Sequence, residues 1–298
     1  MSNKVTIGIP TYNGWLRIHQ LLQNIEQRTP KSIPYEVVVC DDSGKEEHRD
    51  RVKGICKDLG AEYVFHQNNR GVPAAWNTLS RSTDSKHIIL LNDDVLVARD
   101  WLLFPYYALE NNKNIGSFGL HCYFISPGDV ATLLQGPDAK VIPLDVKYVN
   151  GVLVKDQRFS SMPENTGGVP GRTMCPTGCA FGFTREVYNG VGGFDERYQA
   201  FYEETDFGVA CSVAGLPSVQ LPYPGNYHIW SQTFASAPEI NASKIMNDSK
   251  RKFVQKWSEK LNYKFNDAPD IHNLIMDKIP PLELKWLDEN LIEKISYV

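Results

Sequence analysis

The sequence predicts an α/β protein built on a mainly parallel sheet flanked by helices, and three features predict it. Across the first hundred residues, short apolar runs alternate with amphipathic stretches, which is the pattern of repeated strand-helix units. The apolar runs stop at polar, turn-forming residues. The 298-residue chain is 42% hydrophobic and 22% charged, enough apolar material for a core and unlike a disordered or fibrous chain.

In order along the chain, residues 5–9 read as the first strand, followed by the turn Pro10-Thr11-Tyr12-Asn13-Gly14. Residues 15–27 place Trp15, Ile18, Leu22 and Ile25 on one helical stripe. A second strand, 35–40, ends at Asp41-Asp42-Ser43-Gly44, whose side chains suit turn formation. A helix at 47–59 leads to a third strand at 62–66, the loop 67–71 and a helix at 73–80 with Pro73 in its first turn. The fourth strand, 87–91, is a continuous apolar run suited to burial on both faces, and it stops at Asn92-Asp93-Asp94. From 120 to 175 the pattern weakens into Gly, Pro and short β-like pieces, as in an insertion. Regularity returns at 178–183 and at a helix-like stretch, 203–214. Beyond Lys244, Phe253, Trp257 and Leu261, then Leu284, Leu287, Leu291 and Ile295, recur at helical spacing, for packing against the domain or a second copy.

Charge excludes little but is informative: 31 Lys and Arg against 35 Asp and Glu give a net charge of -4, so no broad positive field draws nucleic acid. Six scattered cysteines without a CxxC pair read as buried thiols. No run approaches the roughly 18 apolar residues of a spanning helix, and no signal peptide opens the chain. The expectation is a cytoplasmic protein whose membrane contact, if any, is peripheral.

In an open α/β sheet, ligands bind beyond the carboxyl ends of the strands, so the polar loops after strands one to four converge on one crevice. Carboxylates following an apolar strand are costly near a core unless they are exposed at the sheet edge or neutralised by a cation. Asn92-Asp93-Asp94 therefore asks for Mg²⁺ or Mn²⁺, hard cations that take oxygen ligands and keep positions for phosphates. Asp41-Asp42, Asn69-Arg70-Gly71 and Asn77 add carboxylates, amides and a close-approach glycine to the same crevice, a set suited to a nucleoside diphosphate. No GxxxxGK[ST] loop and no convincing GxGxxG is present, so phosphate cradling by a glycine-rich loop is not indicated.

These segments, in order, resemble the family 2 glycosyltransferases. The match comprises Val5-Thr6-Ile7-Gly8-Ile9-Pro10-Thr11-Tyr12-Asn13, Val38-Val39-Cys40-Asp41-Asp42-Ser43, Asn69-Arg70-Gly71 with Ala75-Trp76-Asn77, and Leu90-Leu91-Asn92-Asp93-Asp94. It resumes at Gly178 and runs through Val191-Gly192-Gly193-Phe194-Asp195-Glu196-Arg197 and Phe201-Tyr202-Glu203-Glu204-Thr205-Asp206-Phe207. The resemblance implies a GT-A, Rossmann-like fold and inverting transfer of a sugar from a nucleotide-sugar, a UDP-sugar foremost, to a hydroxyl acceptor such as a polysaccharide or glycolipid. Protein or modified nucleic acid as acceptor, or an inactive nucleotide-sugar-binding module, are the alternatives.

It also implies roles. Pro10, Thr11, Tyr12, Asn13, Asp41, Asp42, Asn69, Gly71 and Asn77 would lie along the nucleotide; Asp42 would accept from a base N–H, while Asn92 and Asp93 would orient ribose or water. Asp94 would ligate Mn²⁺ or Mg²⁺, with His228 where several members place a further metal or diphosphate contact. Glu204 falls at the catalytic base, with Asp206 the alternative; Glu203, Glu204 and Asp206 would equally suit a helix N-terminus. Two departures stand out: Asn92 takes the first place of an Asp-x-Asp motif, and Glu204 replaces the commoner Asp. The implied division is a nucleotide-sugar-binding half at 1–120, an acceptor and catalytic half at 121–235, and a helical extension at 236–298, through which a homodimer could form.

Overall fold

Val5, Ile7 and Ile9 alternate with Thr6 and Gly8, and this two-residue period sends the aliphatic side chains of the first strand to one face of a sheet. The computed structural model describes residues 2–124, 147–149, 152–154, 171–229, 232, 237 and 240–276. Its main sheet begins with β1 (Ser2–Thr11), β2 (Tyr35–Asp41), β3 (Glu62–Phe65) and β4 (Ser85–Leu91), in the spatial order β3-β2-β1-β4. All three ladders among them are parallel. Between them run α1 (Trp15–Arg28), α2 (Glu46–Asp58) and α3 (Val72–Arg81), as the alternating pattern requires.

Beyond β4 the sheet becomes mixed. After β5 (Val95–Leu96) and α4 (Leu103–Asn111) come β6 (Phe118–Phe124), the separate hairpin β7 (Lys147–Val149) and β8 (Val152–Val154), β9 (Gly171–Thr173) and β10 (Ala180–Thr184). Helices α5 (Arg185–Val191) and α6 (Glu203–Val213) precede β11 (Ser218–His228). Strand β10 lies antiparallel between β4 and β6, β11 is parallel to β6, and β5 and β9 pair antiparallel with β11. The expectation of parallel strands thus holds for the first four. The return strand β10 starts at the edge where β1 to β4 end, with Ala180 opposite Leu91, and β11 also finishes at that edge, with His228 opposite Val95.

Two apolar layers cover the sheet. Ile7, Val39 and Ile89 pack with Ile18, Leu22 and Val52 of α1 and α2 on one side. Val38, Ile88 and Leu90 pack with Trp76 and Leu79 of α3, Tyr188 of α5 and Phe207 of α6 on the other. Trp76 is a core aromatic, stacked on Phe181 at 5.9 Å and edge-on to Phe194 at 5.0 Å. The tail helices α7 (Ala242–Leu261) and α8 (Ala268–Met276) bury Phe253, Trp257 and Ile271 against Tyr198 and Val209. The Phe253 and Trp257 stripe therefore packs on its own domain, while the repeat from Leu284 to Ile295 and most of the 121–175 insertion lie outside the described residues. Among the described residues, no helix is long and apolar enough to cross a membrane.

Close approach of β10 to β6 depends on Gly182. A Cβ there would stand 2.2 Å from Cζ of Phe118, whose ring is fully buried and cannot swing aside. Gly182→Ala is expected to destabilise the protein by about 1–3 kcal/mol through overpacking, read as a lower urea midpoint at unchanged m-value.

Candidate active site

The ends of β1, β2 and β3 form one side of the site. Asn13 adopts a left-handed backbone, φ 52°, and its N–H donates to Ser43 Oγ at 2.7 Å, joining the first two loops. The N–H of Asp42 donates to the Thr11 carbonyl at 2.9 Å. Pro10, Tyr12 and Asn13 are half-buried along this edge. The Asp42 carboxylate accepts from His66 Nδ1 at 2.7 Å, from the Arg70 N–H at 2.9 and 3.1 Å and from the Gly71 N–H at 2.8 Å. Asn69 is exposed, and its Oδ1 shares the Gly71 N–H at 3.0 Å. Gly71 has φ 87°, and a Cβ there would lie 2.4 Å from the Gln199 carbonyl oxygen, so this turn admits only glycine.

The turn after β4 carries two carboxylates with different surroundings. Asp93 accepts from Thr11 Oγ1 at 2.5 Å and is gripped by Arg17, Nε to Oδ1 and Nη2 to Oδ2, both at 3.1 Å. Arg17 Nη2 also reaches the Tyr12 carbonyl at 3.2 Å, so one guanidinium ties the first loop to this turn. Burial pushes the Asp93 carboxyl up, and the attraction of Arg17 pulls back against it. A side chain at Gly14 would strike this cluster, its Cβ lying 2.2 Å from Asp93 Oδ2.

Asp94 Oδ1 is buried and makes no hydrogen bond, although His228 Nε2 stands 3.1 Å away. Two ligand atoms about 2.1 Å from one octahedral cation and about 90° apart lie roughly 3.0 Å from each other. The spacing of the pair would suit two ligands of one Mg²⁺ or Mn²⁺, with Asp94 and His228 as the residues that would hold it. Among the described residues no third His, Cys, Asp or Glu completes a protein-only metal cage. Burial opposes a charge on His228, but Asp94 and Cys179 beside it together raise the imidazole pKa above its usual value. Half-buried Asn92 anchors the turn through its backbone, its N–H donating to the Cys179 carbonyl at 2.9 Å.

That bond leads to the third element. Gly178, next to Cys179, leaves room for Glu204: a Cβ on Gly178 would be 3.0 Å from Glu204 Cδ. Glu204 stands in the first turn of α6, which the chain enters through Phe201 and Tyr202, both left-handed at φ 64° and 71°. Such a conformation costs a non-glycine residue on the order of 1 kcal/mol or more, so the surrounding packing, including Tyr202 against Phe253 at 5.1 Å, must hold it. Burial pushes the Glu204 carboxyl up to about 7, which suits a base working near neutrality. Glu203 beside it is buried with Oε2 unpartnered, and burial together with the neighbouring Glu204 holds its carboxyl well above the usual range.

Three expected site residues serve the scaffold. Asp206 accepts from Tyr198 Oη at 3.1 Å, Trp257 Nε1 at 2.9 Å and Lys256 Nζ at 2.6 Å, so it fastens α6 to α7 and both its oxygens are engaged by scaffold donors. Asn77 spends its amide on the Phe194 carbonyl, Glu196, Tyr188 Oη and the Phe194 N–H, all at 2.8–2.9 Å, stapling α3 to the loop after α5. Asp41 closes its own turn on the Ser43 N–H at 2.9 Å and receives Tyr63 Oη at 3.2 Å. Conversely, Arg17 and His66 belong to the site and escaped the sequence reading. Arg17 carries no motif signal, being one basic residue on an amphipathic helix, whereas His66 closes the third strand and could have been suspected from that position.

Comparison with known proteins identifies the family and the fold. The profile of glycosyl transferase family 2 matches residues 6–191, more than half of the chain. The chain belongs to glycosyl transferase family 2. It is 26% identical over 125 residues to the poly(ribitol-phosphate) β-N-acetylglucosaminyltransferase TarP of Staphylococcus aureus, covering 39% of this chain and 37% of TarP. It is 25% identical over 117 residues to the uncharacterized glycosyltransferase YfnE of Bacillus subtilis, covering 39% of this chain and 30% of YfnE. The match thus spans about a third of the length of these curated relatives. Among solved structures, GalNAc-T7 with UDP, GalNAc and Mn²⁺ superposes with a TM-score of 0.60 at 17% identity, covering 76% of this chain and 44% of that one. The mannosyltransferase PcManGT from Pyrobaculum calidifontis, in complex with GDP-Man and Mn²⁺, gives 0.57 at 19% identity, covering 92% and 68%. The fold of this family member is GT-A, as its sequence motifs implied.

Proposed function

We propose that this chain transfers one sugar from a nucleoside-diphosphate-sugar, a UDP-sugar foremost, to a hydroxyl of a saccharide or polyol polymer, with inversion and with Mn²⁺ or Mg²⁺ bound. The observation that carries this reading is the short path between two kinds of chemistry: the Asn92 N–H of the turn bearing Asp94 donates a hydrogen bond to the Cys179 carbonyl, and Gly178 beside it lies close against Glu204. Asp94 and His228 would hold the cation, which supplies positive charge to the leaving diphosphate. Glu204 would take the proton of the acceptor hydroxyl as its oxygen bonds to the anomeric carbon and the bond from that carbon to the phosphate oxygen breaks. One base facing a leaving group across the sugar gives a single displacement, hence inversion. The solved neighbours are complexes with UDP and GalNAc or with GDP-Man, each with Mn²⁺, and TarP is by its name a transferase acting on poly(ribitol-phosphate). The half at 1–120 would bind the donor and 121–235 the acceptor, with 236–298 supporting Glu204 through Asp206 and Trp257.

The test is a nucleotide-sugar panel with Mn²⁺, read by thermal shift and by release of nucleoside diphosphate. One donor should raise the melting temperature and be turned over, slowly without acceptor. Asp94→Ala should lose the Mn²⁺-dependent part of the shift. A chain that binds no nucleotide-sugar, or whose Asp94→Ala variant responds to Mn²⁺ like the wild type, overturns the reading. Binding without any turnover identifies an inactive binding module instead.

A further inference from the structure

We infer that His66 is a positioning residue for the donor nucleobase: it holds the Asp42 carboxylate in the orientation that leaves one acceptor position for a base N–H. This rests on the donor reading above and adds to it a residue that need not touch the nucleotide. His66 directly follows β3 and is 6% exposed. Its Nδ1 lies 2.7 Å from Asp42 Oδ1, and its Nε2 lies 2.9 Å from Thr78 Oγ1 on α3 and 3.8 Å from Cys40 Sγ on β2. A carboxylate offers only lone pairs, so Nδ1 carries a proton toward Asp42 whichever state Nε2 adopts.

The count of donors gives the arrangement its specificity. An ionised carboxylate accepts about four hydrogen bonds. Asp42 already receives His66, the Arg70 N–H shared between both oxygens, and the Gly71 N–H. Three donors against about four acceptor sites leave capacity for one more, taken up when the shared Arg70 N–H settles on a single oxygen. That remaining site suits a base edge presenting an N–H, as uracil and guanine do at their ring nitrogen, and disfavours the bare ring nitrogen of cytosine or adenine. Removing His66 takes away one of the two donors on Oδ1 and lets the carboxylate turn within the loop, which blurs that choice. The backbone donors of Arg70 and Gly71 are already committed to this carboxylate, so they do not supply the donor that is lost.

Two substitutions separate the two ends of the imidazole. The amide of Asn reaches the place of Nδ1 and that of Gln the place of Nε2, so His66→Asn keeps a donor for Asp42 and His66→Gln keeps the link to Thr78. The readout is equilibrium binding, with Mn²⁺ present, of UDP, GDP, CDP and ADP and of inorganic pyrophosphate, which has no base. We expect His66→Gln to weaken the preferred nucleotide about tenfold and narrow its margin over CDP and ADP, His66→Asn to stay within about threefold of wild type, and pyrophosphate affinity to remain unchanged in both. A structural role alone would weaken pyrophosphate equally or follow the loss of Thr78 rather than of Asp42. Equal nucleotide affinities for wild type and His66→Gln, while Asp42→Asn weakens binding, overturn the inference and leave the donor reading standing. A wild type that binds none of the four nucleotides overturns both.

Discussion

Glu204→Gln is expected to lower the transfer rate by roughly 10²–10⁴-fold with little change in donor affinity, because it removes the acceptor of the hydroxyl proton and preserves shape. The pH profile follows from the environment. Burial raises the Glu204 carboxyl to about 7, and a general base works only when deprotonated, so the wild-type rate should rise with pH, bend near about 7 and level off above it. Stability should move the other way. A carboxyl whose proton is held more tightly in the folded state than in the unfolded chain stabilises the fold fully below its unfolded pKa of about 4.5 and loses that contribution as pH rises toward about 7. Melting temperature should therefore fall over that window in the wild type and fall less in Glu204→Gln, since an amide has no proton to lose. A rate without a bend near neutrality, or a Glu204→Gln variant with wild-type turnover, removes Glu204 from the role of base. Glu203→Gln provides the contrast: its Oε2 is buried without a partner and burial holds its carboxyl well above the usual range, so an amide in its place should preserve much of the activity.

The strand-helix alternation and the loops at the strand ends were legible because both depend on local sequence: an apolar run of four to seven residues, a turn, an amphipathic stretch. The mixed half of the sheet was not, since whether residues 180–184 run with or against 85–91 is decided by a chain path that carries no local mark. Within the site the same division holds. Asp94 and Glu204 could be named from motifs. Asp206 and Asn77 share those motifs, yet their partners, Lys256 and Trp257 for one and Phe194 and Tyr188 for the other, lie 50 or more positions away in sequence, and a motif does not tell a carboxylate that meets substrate from one that meets a neighbouring helix. Arg17 was hidden for the same reason: its meaning lies 76 positions downstream, at Asp93.

That distant partnership makes Arg17 the residue outside the reacting groups with the largest expected effect on stability. The Asp93 side chain is 4% exposed and that of Arg17 15%, so their fork is a buried ion pair and not a surface one. Removing one member of such a pair leaves the other charge without compensation, at a cost of about 3–5 kcal/mol, whereas replacing both by neutral groups of similar shape costs much less. Arg17→Met should accordingly be strongly destabilised, with Asp93 either taking up a proton or drawing water into the loop. Asp93→Asn alone should be destabilised as well, having left the guanidinium unpaired. The double variant Arg17→Met, Asp93→Asn should recover a large part of the loss, a coupling measurable in a double-mutant cycle by urea denaturation. Additive effects in that cycle would mean that the pair is solvated and weak. Recovery of stability need not restore function: Arg17 also holds the Tyr12 carbonyl, and Thr11 bonds to Asp93, so without the fork the loop beside the nucleotide and the turn bearing Asp94 lose their common anchor. The double variant should thus fold while responding to Mn²⁺ and nucleotide less strongly than the wild type, separating what the pair contributes to the fold from what it contributes to the alignment of Asp94.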